Sequence, residues 1–325
     1  MLRMVLVILA LCAAANGQPS EMVLGPDGRW TTLERPAPTG DAKVMADARA
    51  LLAEGKFRQA RRLLDDWIDK NELEESPYLA EAYLLRADAK TAYGREYRAL
   101  YDYEKVINEY AATSEYVRAV ERELEIGIRY LNGLRRHFLG LRLTNAEDVG
   151  EELLVRTAER MPRSRLGERA ILELADYYYR ARELKMAAMC YEIFVQLYPR
   201  SEHAPRARQQ RIFARIGTFK GPNYDAAGLA DARVLIEEYA KDDPIGARRA
   251  NLTDALLAKL DESMAQQSLE KARFYLRRDD PVSARLTLWR LIQDHPRSIA
   301  KVEAEGLLKE KGWASQPPAR TGVAP

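Results

Sequence analysis

The chain has 325 residues, more than one ordinary compact core holds, so either two domains or one elongated repeat array is expected. Hydrophobic residues at 47%, charged residues at 31% and only 18 glycines and 15 prolines select a soluble, helix-rich chain. A net charge of +2 removes any global attraction to nucleic acid, and three histidines leave few ligands for a catalytic metal.

In chain order, residues 1–17 read as an export signal. Arg3 supplies the positive start, Met4 to Leu11 the apolar run, and Ala13-Ala14-Ala15-Asn16-Gly17 the small-residue end. Cleavage after Ala15 or Gly17 is one outcome. Leu9-Ala10-Leu11-Cys12 approximates a bacterial lipoprotein box with Leu11 where a small residue belongs, so lipidation at Cys12 is a second, and an uncleaved anchor a third. No later apolar run approaches the roughly twenty residues a membrane-spanning helix needs, so the mature chain is expected to be exported and water-facing. Residues 18–40 carry Pro19, Gly25-Pro26, Gly28, Pro36 and Pro38, which predict a proline-rich linker from which Trp30 and Leu33 could dock on the body.

Residues 41–312 repeat themselves. The tripeptide Pro-Arg-Ser recurs at Pro162, Pro199 and Pro296, each time after an amphipathic helical pattern. The proline ends one helix, and the serine can accept hydrogen bonds from the first free amides of the next. Reading back from Pro199, Ile171, Leu174, Ala175, Tyr178, Ala187, Tyr191 and Phe194 fall at the spacing of a 34-residue tetratricopeptide unit. Ala175 and Ala187 are small so that two helices can approach, and the aromatic residues fill the space around them. The frame recurs with Ala48, Gly55, Ala60, Leu64 and Trp67, with Ala87, Gly94, Ala99, Tyr103 and Val106, and with Ala272, Tyr275, Ala284, Leu288 and Pro296. Two degenerate copies complete it: Glu115 to Pro162, with Gly127, Tyr130 and Leu154 in frame and an insertion around Leu134 to Thr144, and His203 to Pro244, interrupted at Gly221-Pro222-Asn223. The fold expected is all-α, a right-handed tetratricopeptide-repeat solenoid of about five or six helical hairpins. Residues 313–325, with Pro317-Pro318 and no apolar periodicity, predict a disordered tail.

Catalytic patterns fail one by one. His137, His203 and His295 lie in separate hairpins without a zinc-binding spacing, and His295 precedes Pro296 as Tyr198 precedes Pro199, a helix-end position. Neither a phosphate loop nor a Gly-x-Ser-x-Gly elbow occurs. Asp65-Asp66, Glu74-Glu75 and Asp242-Asp243 are adjacent, so on a helix they splay about 100° apart. Cys190, beside Met189 and Tyr191, reads as a small buried hydrophobe. Arg208, Arg211 and Arg215 share a helix face and Arg135-Arg136-His137-Phe138 occupies the insertion; either is a charge-mixed surface or a grip for an acidic partner or anionic lipid. The expectation is a protein that is no enzyme, takes no cofactor or metal, and works by holding peptides or partner domains on its concave face. The first helix of each hairpin lines that face, which nominates Arg49, Leu52, Leu84, Asp88, Thr91, Arg169, Leu172, Asp176, Tyr179 and Arg180.

The export signal, the proline-rich lead and hairpins with a Tyr198-Pro199-Arg200-Ser201 junction resemble the BamD family, the outer-membrane β-barrel assembly lipoproteins. The likeness covers about Asp41 to Lys311. It is most specific at Pro162-Arg163-Ser164 through Ala170, at Leu172 to Tyr178 and at Phe194 to Pro199, with a second stretch from Ala272 to Pro296. The resemblance implies a scaffold in the periplasm or on the periplasmic face of the outer membrane. Its N-terminal hairpins would hold unfolded outer-membrane protein segments, its C-terminal hairpins would dock a β-barrel insertase, and it would meet the membrane only through a partner or a lipid on Cys12. An alternative is a periplasmic tetratricopeptide adaptor for cell-wall synthesis or cell division.

Overall fold

The structure, a computed structural model, describes residues 22–24, 30–32, 38–74, 76–138 and 141–314. The export signal with Cys12, Leu33 and the tail from residue 315 lie outside the described residues. The chain divides into two compact units, one up to Tyr93 and one from Gly94 onward.

In the first unit, strands β1 (Met22–Leu24) and β2 (Trp30–Thr32) pair antiparallel within the stretch read as a linker. Helices α1 (Gly40–Ala53), α2 (Phe57–Asn71) and α3 (Leu79–Ala92) follow. Gly55, at φ +75°, makes the turn between α1 and α2, a left-handed backbone that other residues adopt at a cost. Ala48, Ala60 and Leu64 are fully buried, as the repeat frame requires, and Met45 is buried with them. The indole N–H of Trp67 donates to Asp41 Oδ1 at 3.0 Å, so the largest side chain of the seam keeps its polar atom satisfied.

The second unit opens with α4 (Glu96–Glu109) and α5 (Glu115–Leu131). The insertion then forms a two-stranded antiparallel hairpin, β3 (Arg136–Phe138) and β4 (Leu141–Thr144), before α6 (Glu147–Arg160). Then come α7 (Arg165–Arg180), α8 (Leu184–Leu197), α9 (Ala204–Gly217), α10 (Ala227–Asp242), the short α11 (Pro244–Arg249), α12 (Asp254–Arg277), α13 (Pro281–Asp294) and α14 (Ile299–Glu310). The helices pack mainly on their chain neighbours, so the core is a succession of clusters instead of one centre. This is the all-α tetratricopeptide architecture expected from the sequence. Ala175, Ala187, Tyr191 and Phe194 are buried in one of these clusters.

The punctuation works through side chains. Ser164 Oγ accepts from Gly167 N–H at 3.1 Å and Ser298 Oγ from Lys301 N–H at 3.1 Å, capping α7 and α14. Ser201 differs. Pro205 sits in the first turn of α9, which therefore starts at Ala204, and Ser201 Oγ accepts from His203 N–H one step outside the helix. After α14, the sequence predicts that Trp313 begins a disordered tail. Instead its N–H donates to Leu308 O at 2.7 Å and its side chain packs on the last core cluster, because Gly312 at φ +74° turns it back.

The insertion is pinned to α4. Arg142 donates to both carboxylate oxygens of buried Glu96, at 2.8 and 3.0 Å, and Arg129 adds a third bond at 3.0 Å. The Arg136 guanidinium lies 4.5 Å from the Tyr97 ring centroid. Deeper in, Arg160 bridges Glu104 and Glu123, while Arg156 joins Glu104 and Glu152. Glu123 is fully buried and its Oε1 has no hydrogen-bond partner among the described residues, so burial, helped by Glu104 and opposed by Arg160, pushes its carboxyl up to about 8.

Candidate functional site

Helix α7 divides its faces sharply. Ala170, Ile171, Leu174, Ala175, Tyr177 and Tyr178 are buried, and the phenols of Tyr177 and Tyr178 reach Glu147 and Glu151 of α6 at 3.1 and 3.0 Å. The opposite stripe, Arg165, Glu168, Arg169, Leu172, Glu173 and Asp176, faces an open cleft of about 790 Å³. Its far wall is Ser201, Glu202 and His203 of the turn after α8, with Arg206 of α9.

Hydrogen bonds hold the two walls in register. Asp176 accepts from Tyr191 Oη at 2.5 Å and from Arg206 at 2.8 Å, and Ser201 donates to Glu168 at 2.5 Å. Burial, then the bond to Asp176, raises the Tyr191 phenol well above its usual range, and the same carboxylate raises Arg206. Both therefore keep the protons they donate to Asp176 across the ordinary pH range. Arg165 and Arg169 are different: both are exposed and neither makes an ion pair or hydrogen bond with another described residue. The cleft thus presents two uncommitted guanidiniums beside half-buried Leu172, on a frame whose Asp176 and Glu168 are already engaged.

Of the residues nominated from sequence, Arg169, Leu172 and Asp176 come together here. Tyr179 is half-buried edge-on against Tyr191, centroids 6.4 Å apart, and serves packing. Arg180 donates to Asn132 at 3.2 Å and is not among the cleft walls. In the first unit, Arg49 pairs with Glu81 at 3.3 Å, Leu52 is half-buried, and Asp88 and Thr91 are half-buried and engaged in interactions. Leu84 is a correction: it is 0% exposed, because α3 is buried on nearly every side, Ala82 to Leu85 without a break, and leaves no free face there. Arg165, Glu168, Ser201, His203 and Arg206 went unnominated. Arg165 and Glu168 share the face of Arg169, so helical spacing could have found them; Ser201 lies in the turn after α8 and Arg206 on α9, so the spacing along α7 gives no signal for either.

The other motifs resolve as structure. Arg211 and Arg215 both bond Glu192, at 3.0 and 3.3 Å, Arg215 also reaches Asp231, and Arg208 stands 3.9 Å from Asp242, which makes this stripe an internal stitch between helices. His295 caps α13 and its Nδ1 lies 2.7 Å from Asp261 Oδ1. Cys190 is buried, and burial pushes its thiol up to about 11. Among the described residues no group of His, Cys, Asp and Glu side chains could hold a metal ion, and no helix is long and apolar enough to cross a membrane.

Helical hairpins in succession define a tetratricopeptide-repeat protein, with an open wall of mixed side chains along α7. The chain belongs to the YfiO family, described as outer membrane lipoproteins, which matches residues 145–311, from the start of α6 to the end of α14. That bears out the resemblance to the BamD family over residues 145–311 of the stretch from Asp41 to Lys311 in which it was drawn. Among solved structures, the C-terminal part of a TPR repeat-containing protein from Cytophaga hutchinsonii is 12% identical, covers 81% of this chain and 86% of its own, and has a TM-score of 0.38, a likeness too loose to support any correspondence of sites. No curated protein matches the chain.

Proposed function

We propose that this chain is a non-catalytic scaffold on the periplasmic face of the outer membrane that holds unfolded outer-membrane protein segments in the cleft between α7 and α9. Its partner would be a β-barrel insertase docked on the C-terminal hairpins. The observation that carries the reading is the pair of uncommitted arginines, Arg165 and Arg169, beside Leu172 in a cleft whose frame is hydrogen-bonded in place. An extended strand sends alternate side chains to one face, about 7 Å apart, so one apolar residue can rest on Leu172 while a terminal carboxylate meets a guanidinium. Ile299 and Val302, exposed on α14, supply apolar surface for the partner.

A labelled C-terminal β-strand peptide, followed by fluorescence anisotropy, tests the cleft. A hydrogen bond to a charged group contributes about 1.5–3 kcal/mol, so R169A should weaken binding by about tenfold or more, and amidating the peptide should cost about as much. R180A should be nearly silent. Acid and amide peptides that bind alike, with R169A unchanged, would refute capture at this cleft. A pull-down from solubilised envelope tests the partner: recovery of a peptidoglycan synthase in place of an insertase would refute that half.

A further inference from the structure

We propose that the hairpin inserted between α5 and α6 is a docking element for an anionic phospholipid surface. This inference does not rest on the peptide cleft. In β4 the side chains alternate. Arg142 turns inward to Glu96, which leaves Leu141 and Leu143 pointing outward, 64% and 56% exposed. Water-exposed leucines are common singly, but two on one strand face, held outward by an ion pair on the other, form an oriented apolar edge.

The surroundings of that edge are cationic. Arg95, Arg98, Arg136 and His137 line a hollow of about 260 Å³ at the base of the hairpin. The one acidic wall residue among the described residues, Glu96, is paired with Arg129 and Arg142. Arg95, Arg98 and neighbouring Arg135 make no ion pair with any described residue. Tyr97 and Tyr101, rings edge to face at 5.9 Å, are exposed beside them, and Tyr101 is 67% exposed. Protruding aliphatic side chains, exposed tyrosines and a surplus of guanidiniums are the three components that seat a protein in the headgroup layer. The leucines project instead of lining a groove, which suits a deformable surface better than a rigid protein face, and the hollow is large enough for a phosphate group.

Hydrogen exchange read by mass spectrometry, on the full chain with vesicles of phosphatidylcholine alone or mixed with phosphatidylglycerol, tests this locally. Anionic vesicles should slow exchange of the amides in residues 94–101 and 134–144, while neutral vesicles should not. Each arginine near an anionic surface is worth about fivefold in partitioning, so R95Q/R98Q should raise the lipid concentration for half-protection by about 25-fold. L141S/L143S should abolish the protection with exchange in α7 and α8 unchanged, which shows that the variant is folded. Exposed amides in this region despite bound vesicles, equal protection by neutral lipid, or full protection by inorganic phosphate alone would each overturn the proposal.

Discussion

Helices α5 and α6 cross where both carry glycine, and that crossing gives a prediction whose sign differs from ordinary helix propensity. A Cβ added at Gly150 would stand 2.9 Å from the Gly127 carbonyl oxygen and 2.9 Å from Leu131 Cδ2. Leu131 could move, but the carbonyl belongs to the backbone of the facing helix, so the axes must separate. Replacing glycine by alanine within a helix favours folding by about 1 kcal/mol, whereas overpacking a tight core costs about 1–3 kcal/mol. With backbone as the obstacle the cost falls at the upper end, and G150A should lose about 1–2 kcal/mol net. Gly306 is the control. It lies within α14, exposed, with nothing within 4 Å of the added Cβ, so G306A should gain about 1 kcal/mol. Urea unfolding followed by circular dichroism measures both, with the midpoint compared at unchanged m. If G150A stabilises the chain as much as G306A, the close approach of α5 and α6 is wrong.

Three further outcomes follow from the buried polar groups. Glu123, raised from an ordinary 4.5 to about 8, keeps a proton in the folded chain that the unfolded chain has released between those values. Its contribution is therefore fully present below about pH 4.5 and is lost as pH rises towards 8, with a slope approaching about 1.4 kcal/mol per pH unit. E123Q should flatten the stability profile over that window, and parallel profiles would mean that Arg160 keeps the carboxylate charged throughout. Cys190, with its thiol pushed to about 11, should resist a thiol reagent in the native chain and react once urea unfolds it; fast native labelling would contradict its burial. R142A removes two of the bonds to buried Glu96 and leaves Arg129, so it should cost about 1–3 kcal/mol and speed amide exchange in β3 and β4.

Much of the fold was legible because a helical hairpin is a local object. Ala175 and Ala187 lie close in sequence, and their small size, the aromatic residues one turn away and the proline at the end of α8 are all read within one unit. The same locality made Arg169, Leu172 and Asp176 legible as one face of one helix. It failed at Leu84, where helical spacing alone cannot tell a helix with one free face from one enclosed on nearly all sides. Nor could it show that α12 runs for 24 residues, well beyond the repeat frame that begins at Ala272.

The seams were legible in the chain alone: which residues are small enough to cross, where a proline ends a helix, and where an insertion breaks the frame. Those follow from side-chain volume and backbone dihedrals, which act over a turn or two of chain. Which charges are paired was not legible there. Asp176 is committed to Arg206 thirty residues away and Arg142 reaches back 46 residues to Glu96, while Arg95, Arg98, Arg165 and Arg169 make no such pairing with the described residues. An ion pair depends on distance in space at a few ångströms, and sequence separation carries no information about that distance until the helices are stacked.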